Sequence, residues 1–207
     1  MILVLIFIAY LLGSIPTSVW IGKTFYNIDV REFGSGNAGA TNTFRVLGKK
    51  AGIPVLIIDI LKGTSAVALS FFSGYHIGTS GFIELQLGLG IAALVGHIFP
   101  IFAGFRGGKG VATILGIVIC IVPAACALSL LVFLVILFSS RIVSLSSMIA
   151  GISFPIFLNL VMGNQNNILT IFSIVVAALL IITHRKNIKR LLKKEESKVQ
   201  IFASKVK

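Results

Sequence analysis

An uninterrupted apolar run, VATILGIVICIVPAACALSLLVFLVILFSS, occupies residues 111–140 and decides how often this chain crosses a membrane. One helix needs about 20 residues to span a bilayer, so the run is too long for a single ordinary span. Val122 and Pro123 lie close to its middle. The run therefore predicts either one overlong helix or two short helices that turn at this point.

The distribution of positive charge favours two helices. With one helix the chain has six spans, and either the loop Lys23–Lys50 or the basic tail His184–Lys207 lies on the outer face. With two helices it has seven, and every loop that carries Lys or Arg faces the cytoplasm, as the positive-inside rule requires. We therefore predict a single all-α membrane domain over residues 1–207, with seven transmembrane helices, the N-terminus outside and the C-terminus inside.

The composition excludes a disordered chain and an ordinary soluble domain. Of 207 residues, 57% are hydrophobic and 12% are charged, about half the charged fraction of a typical soluble protein. The net charge is +12, and cationic loops beside a bilayer favour anionic lipid headgroups or an anionic substrate over nucleic acid. Cys120 and Cys126 have no His or Cys at metal-ligand spacing, so we expect no metal site.

Asp59 and Lys62 interrupt an apolar segment. Because they are three residues apart, a helix places both on one face. We interpret them as a mutually neutralising pair near the cytoplasmic membrane surface, with the Lys62 side chain extending toward the headgroups. The alternative is that they form one wall of a polar cavity.

A first polar cluster, FGSGNAGATNTFR, occupies residues 33–45. Its glycines allow the backbone to approach a ligand, and Ser35, Asn37 and Thr41 add hydrogen-bond donors. Arg45 adds a fixed cationic fork. The combination suits a phosphate, although a flexible interhelical loop has a similar composition. The cluster also contains G-x-G-x-x-G, but no strand precedes it, so we expect no dinucleotide site.

A second polar cluster, GHIFPIFAGFRGGKGVAT, occupies residues 96–113. Its glycine-rich turn follows Arg106, contains Lys109 and precedes a helix that begins near Val111, where N–H groups and the helix dipole favour an anion. The alternative, a positively charged anchor on a short turn, leaves the glycines unexplained. His97 lies at membrane depth, where an ionisable side chain is either a satisfied core residue or a functional one.

A third polar cluster, HRKNIKRL, occupies residues 184–191 at the end of the last apolar run. His184 and Asn187 are one helical turn apart and share a face. The lysines that follow are typical of a basic tail that binds lipid headgroups.

Together the three clusters resemble the signature motifs of the PlsY family, bacterial membrane acyltransferases that use acyl phosphate. The resemblance covers the whole chain. It implies transfer of an acyl chain to the sn-1 hydroxyl of glycerol 3-phosphate, giving 1-acylglycerol 3-phosphate (lysophosphatidic acid) and phosphate. It also implies no cofactor, a site on the cytoplasmic face of the bacterial inner membrane in contact with membrane lipids, and functional coupling to a soluble enzyme that makes the long-chain acyl phosphate.

The resemblance assigns roles to residues of all three clusters. Predicted catalytic residues are Ser35, Arg45, His97 and Lys109. Predicted substrate-binding residues are Gly34, Gly36, Asn37, Thr41, Asn42, Arg106, Gly107, Gly108, Gly110, His184 and Asn187. The chain departs from the family after the third motif, where Lys194 stands in place of a glycine and Glu196 matches the glutamate that follows.

Two questions stay open at this point. A transporter of phosphorylated metabolites would share the topology and the cationic sites, but the chain has no internal repeat, and its polar clusters fall on one membrane face. None of the six acidic residues lies inside a cluster, so His97 is the best protein candidate for the general base. We favour a substrate-assisted route, in which a phosphate oxygen of the donor takes the proton and His97 orients the substrate or the turn.

Overall fold

The computed structural model describes residues 1–199, and among these residues it contains helices and no strand. The α-helices are α1 (Ile2–Gly13), α2 (Thr17–Tyr26), α3 (Ala40–Leu47), α4 (Lys49–Ala68), α5 (Ser80–Ile98), α6 (Val111–Ile121), α7 (Pro123–Ser140), α8 (Val143–Ile156), α9 (Asn167–Thr183) and α10 (Arg185–Leu192). The all-α prediction is therefore confirmed for the described part of the chain.

The long apolar run is divided as the sequence predicts. Helix α6 ends at Ile121 and α7 begins at Pro123, a position where the missing N–H and fixed φ of proline suit the first turn of a helix. The two helices are unequal, because α6 has 11 residues and α7 has 18. Only α7 is long enough to cross a bilayer by itself.

Four segments of the described chain are long and apolar enough to cross a membrane, namely Lys49–Phe72, Ser80–Ala103, Pro123–Ser140 and Val143–Val161. The pairs α1 with α2 and α9 with α10 also qualify when each is taken together, although they bend by 40° and 58°. The structure thus supports four to six spans. Seven spans would require the short helix α6 to cross as well, so that number and the orientation stay predictions.

In the first compact unit, Met1–Pro123, glycines bring helix backbones into direct contact. A Cβ at Gly96 of α5 would clash with the Tyr10 carbonyl of α1, and one at Gly63 of α4 would clash with the Thr113 carbonyl of α6. Such small residues are typical of closely packed membrane helices. The packing places His97, the neighbour of Gly96, beside the end of α1 and the middle of α4.

In the second unit, Ala124–Lys207, α8 packs against α9. The buried hydroxyls of Ser146 and Ser147 donate to backbone carbonyls four residues earlier in the chain. This satisfies polar groups within the helix itself, as an apolar environment requires.

The turn after α10 has the geometry of a glycine turn although it contains lysine. Lys194 has a φ of +59°, in the left-handed region that glycine occupies without strain. Its N–H donates to Leu191, and the N–H of Glu195 donates to Arg190, which is the usual capping pattern at a helix C-terminus. Lys194 therefore occupies a position of this turn that usually favours glycine.

We expect Lys194→Gly to stabilise the folded protein by about 1 kcal/mol, because the left-handed conformation costs a non-glycine residue about that much. The thermal unfolding midpoint of the detergent-solubilised protein should rise. The matched control is Lys193→Gly, which removes the same charge at a residue with φ of −87°, where glycine should destabilise slightly. A midpoint below the parent value for Lys194→Gly contradicts this account of the turn.

Candidate active site

Asn42 organises the first cluster from within. The residue is 2% exposed, and its Oδ1 accepts from the Ser35 N–H at 2.8 Å and the Ser35 hydroxyl at 3.1 Å. Its Nδ2 donates to the carbonyls of Val30 and Phe33. A buried amide with both groups engaged has little capacity left for a ligand. In this structure Asn42 holds the loop in shape, and direct contact of its side chain with substrate stays a prediction.

The outer side of this cluster is accessible. Gly34 and Gly36 adopt φ of +62° and +71°, and α3 begins after the loop at Ala40. Thr41 and Arg45 lie four residues apart on α3, so they share a face, and both are exposed. Half-buried Ser35 and Asn37 lie in the loop that precedes them.

The glycine-rich turn of the second cluster folds back onto the end of α5. The N–H of Gly107 donates to the Ile98 carbonyl at 3.2 Å, and the N–H of Gly108 donates to the His97 carbonyl at 3.1 Å. These two N–H groups are bonded to carbonyls of α5 in this structure, and the binding of an anion at this turn stays a prediction. The N–H groups without a helical partner here are those in the first turn of α6, which follows Gly110 at φ of +84°.

Gly108 is the point where the first two clusters meet. A Cβ at this residue would clash with Nε2 of His97 and would lie 3.2 Å from the carbonyl oxygen of Ala38 in the first cluster. Glycine is therefore required by close approach, which the alternative of a simple charged anchor does not explain. The next residue, Lys109, is half-buried, and Arg106 at the other end of the turn is exposed.

Arg31 joins the first loop to the second, a contact that the sequence analysis missed. Its guanidinium donates to the carbonyl of Ala103 at 2.7 Å and of Arg106 at 3.3 Å. Two further bonds to Asp29, at 2.9 and 2.7 Å, hold the guanidinium in place. The side-chain hydrogen bond from Arg31 outweighs burial and lowers the pKa of Asp29 from 3.8 to about 2.

The depressed pKa sets the pH range in which this pair stabilises the fold. A carboxylate whose folded-state pKa is lowered contributes stability above its unfolded pKa, and that contribution is lost as the pH falls through the folded value. For Asp29 the window runs from about pH 4 down to about pH 2. At neutral pH the Asp29–Arg31 pair is fully formed and fixes the loop that carries Arg106.

Asp59 and Lys62 form the predicted pair, with Nζ and Oδ1 2.9 Å apart. The prediction that Lys62 extends to the membrane surface is wrong, because the residue is 5% exposed and its Nζ also donates to the Ile15 carbonyl. Thr17 donates to the same carboxylate at 3.4 Å. Oδ1 of Asp59 lies 3.9 Å from Nδ1 of His97. An acidic residue therefore borders the second cluster, although none lies within it in the sequence.

The third cluster is built inside the second unit. His184 and Asn187 are 3% and 5% exposed, and Nδ1 of His184 lies 2.7 Å from the Leu180 carbonyl. Nδ2 of Asn187 donates to Glu196 at 2.6 Å. Glu196 also accepts from Ser144 of α8 and from Arg190 of α10. Burial raises the pKa of this carboxyl, but the hydrogen bonds from these three donors outweigh it and lower the pKa overall.

The arrangement of helices and clusters matches a known family over nearly the whole chain. The profile of the glycerol-3-phosphate acyltransferases matches residues 3–194. The chain belongs to this family. A relative named glycerol-3-phosphate acyltransferase from Enterococcus faecalis is 44% identical over all of this chain and 96% of its own length. One from Listeria monocytogenes serovar 1/2a is 47% identical over 96% of this chain and 97% of its own length.

Two solved structures are also similar to this chain. Both are of PlsY (YgiH), described as an integral membrane glycerol 3-phosphate acyltransferase. The glycerol 3-phosphate form has a TM-score of 0.86 and 40% identity and covers 96% of each chain. The lysophosphatidic acid form has a TM-score of 0.82 and 39% identity, over 96% of this chain and 95% of that one. The resemblance to PlsY is thereby confirmed, and the chain is an integral membrane protein with several apolar helices.

We expect Arg31→Lys to loosen the loop of the second cluster, because a lysine cannot hold Asp29 bidentately while donating to two carbonyls. In bilayer nanodiscs at neutral pH, amide hydrogen exchange between Phe105 and Gly108 should become faster, with no change in α8 and α9. The control is Arg185→Lys, at an exposed residue of α10. Unchanged exchange in the Arg31 variant would show that this side chain does not hold the loop.

Proposed function

We propose that this protein transfers a long acyl chain from acyl phosphate to the sn-1 hydroxyl of glycerol 3-phosphate, producing 1-acylglycerol 3-phosphate and inorganic phosphate. The hydroxyl oxygen forms a bond to the carbonyl carbon, the bond between that carbon and the phosphate oxygen breaks, and the hydroxyl proton leaves with the phosphate. Membership in the glycerol-3-phosphate acyltransferase family supports the acceptor. The observation that carries the proposal is the meeting of two cationic, glycine-rich clusters at Gly108.

A site for two phosphates needs positive charge more than acids or bases. An acyl phosphate is an activated anhydride with a good leaving group, so the protein's main tasks are to hold two anions together and to align the hydroxyl with the carbonyl. Accessible Arg45 and Thr41 offer one phosphate contact, with Ser35 and Asn37 beside them. Lys109, Arg106, Gly110 and the first turn of α6 offer the other. Gly34 and Gly36 provide the backbone conformation of the first loop.

Several predicted residues support the site through hydrogen bonds within the protein. Gly107 and Gly108 fix the turn against α5, and Asn42 fixes the first loop. Contact of His184 and Asn187 with substrate stays a prediction, since both are buried in the second unit. For the proton we propose a substrate-assisted route in which a phosphate oxygen of the donor is the base and His97 positions the turn.

We further propose that the chain crosses the bacterial inner membrane seven times and that its clusters face the cytoplasm. Helix α6 then forms a short crossing, and the loops rich in Lys and Arg lie inside. This orientation gives access to water-soluble glycerol 3-phosphate and to a soluble enzyme that makes acyl phosphate. The acyl chain of the donor lies among the helices and membrane lipids.

The deciding experiment supplies the purified protein in nanodiscs with radiolabelled glycerol 3-phosphate and one acyl donor at a time. Palmitoyl phosphate should yield labelled lysophosphatidic acid, whereas palmitoyl-coenzyme A and palmitoyl-acyl carrier protein should yield none. Product from either thioester at a comparable rate would overturn the proposed donor while leaving the acceptor intact.

The phosphate contacts predict a second result. Lys109→Ala and Arg45→Ala should each lower kcat/KM by about 100-fold, because each removes a charged hydrogen-bond donor from a bound phosphate. Lys198→Ala removes an equal charge from the tail after α10 and should change the rate less than about twofold. Equal tolerance at all three positions would refute the assignment of the phosphate contacts.

Gly108 should be intolerant of a methyl group for reasons of space. Gly108→Ala should lower kcat/KM for glycerol 3-phosphate by about 10- to 100-fold, since the Cβ would displace the His97 ring and the turn that it faces. The matched control is Gly88→Ala in the same helix–turn segment, where a Cβ meets nothing within 4 Å. Full activity of Gly108→Ala would show that close approach at Gly108 is not required and would favour the alternative, in which the turn is a positively charged anchor.

A further inference from the structure

A buried group of charged and polar side chains lies directly behind the glycine-rich turn. Asp59 is 2% exposed, Lys62 is 5% exposed and His97 is 5% exposed. Helix α4 supplies Asp59 and Lys62, and α5 supplies His97. The break between α1 and α2 supplies the Ile15 carbonyl, and the first residue of α2 supplies the Thr17 hydroxyl. The roles proposed above use only His97 from this group.

The imidazole of His97 lies between the carboxylate and the turn. Nδ1 is 3.9 Å from Oδ1 of Asp59, and Nε2, the other ring nitrogen, occupies the space that a Cβ on Gly108 would need. Nδ1 is buried and has no hydrogen-bond partner among the described residues. A buried ring nitrogen without a partner is costly, and the Asp59 carboxylate is an acceptor 3.9 Å away.

We propose that Asp59 is a positioning residue for His97 in the acyl transfer reaction. Asp59 accepts a hydrogen bond from Nδ1–H, which fixes the tautomer in which Nε2 carries a lone pair and faces the glycine-rich turn. A carboxylate that orients a histidine through Nδ1 is a recurring device of enzyme active sites. The distance of 3.9 Å is longer than a hydrogen bond, and such contacts often shorten when substrate binds. This inference rests on the proposed function.

The surrounding contacts suit Asp59 to this role. An ionised carboxyl group can accept about four hydrogen bonds, and Lys62 and Thr17 supply two donors. Lys62 balances the negative charge, which would otherwise be unpaired inside the protein. These two contacts also limit the rotation of the carboxylate, so that one oxygen stays on the His97 side.

The test measures the tautomer directly. The chain has three histidines, so 15N-histidine labelling in nanodiscs gives few signals, and His97→Gln identifies the one from His97. In the parent protein Nδ1 of His97 should be protonated and Nε2 should be unprotonated. Asp59→Leu combined with Lys62→Met removes the acceptor for Nδ1–H without leaving a buried charge, and the signal should move toward the tautomer with Nε2 protonated.

The same double variant should lower kcat by about 10- to 100-fold, the range expected when the orienting partner of a functional histidine is lost, with little change in the KM for glycerol 3-phosphate. Thr17→Val removes a different donor to the same carboxylate and should keep the tautomer and most of the activity. A lower kcat together with the altered tautomer supports the proposal, because a merely structural role would leave the tautomer unchanged.

Two results would overturn the inference. One is a parent protein in which Nε2 is protonated and Nδ1 is bare, and this measurement needs no variant to fold. The other is a folded double variant that loses activity with an unchanged tautomer. If the protein uses a donor other than acyl phosphate, the proposed function fails. The tautomer of His97 does not depend on the donor, so its measurement still tests the role of Asp59.

Discussion

The pairing of the glycine-rich turn with the last carbonyls of α5 is the interaction on which the site depends. Two N–H groups, from Gly107 and Gly108, satisfy the carbonyls of Ile98 and His97, which the end of a helix would otherwise leave unpaired. The same two bonds place the turn beside the His97 ring and the loop of the first cluster. The chain then continues from the turn into α6. Packing, helix capping and site geometry are thus set by one local structure.

Three acidic residues each hold one cation in a chain whose net charge is +12. Of six acids, Asp29 holds Arg31, Asp59 holds Lys62, and Glu196 holds Arg190. Each of these pairs fixes backbone or helix positions near a polar cluster. The motifs that contain Arg45 and Lys109 include no acidic residue in their sequence, so each motif carries a net positive charge that suits a phosphate group.

The sequence predicts best what depends on local signals. The break at Pro123 follows from a proline in an overlong apolar run, and the turn at Gly108 follows from a dense group of glycines. The Asp59–Lys62 pair follows from helical spacing. Contacts that depend on backbone carbonyls leave no such signal: Arg31 binds a carbonyl 72 residues away, and nothing in the residue types of that loop indicates its partner.

The inward orientation of Asn42 illustrates a second limit. Thr41 is exposed and Asn42 is 2% exposed, so one step along α3 separates a residue that can contact a ligand from one that holds the loop. A sequence motif contains both kinds of residue, because substitution of a ligand-contacting residue or of a loop-supporting residue would disrupt the site. Only the direction of the helix face, which is set by the packing of α3 against α4, distinguishes them. A motif residue is therefore assigned to ligand contact only after its side chain is found on the open side of its helix.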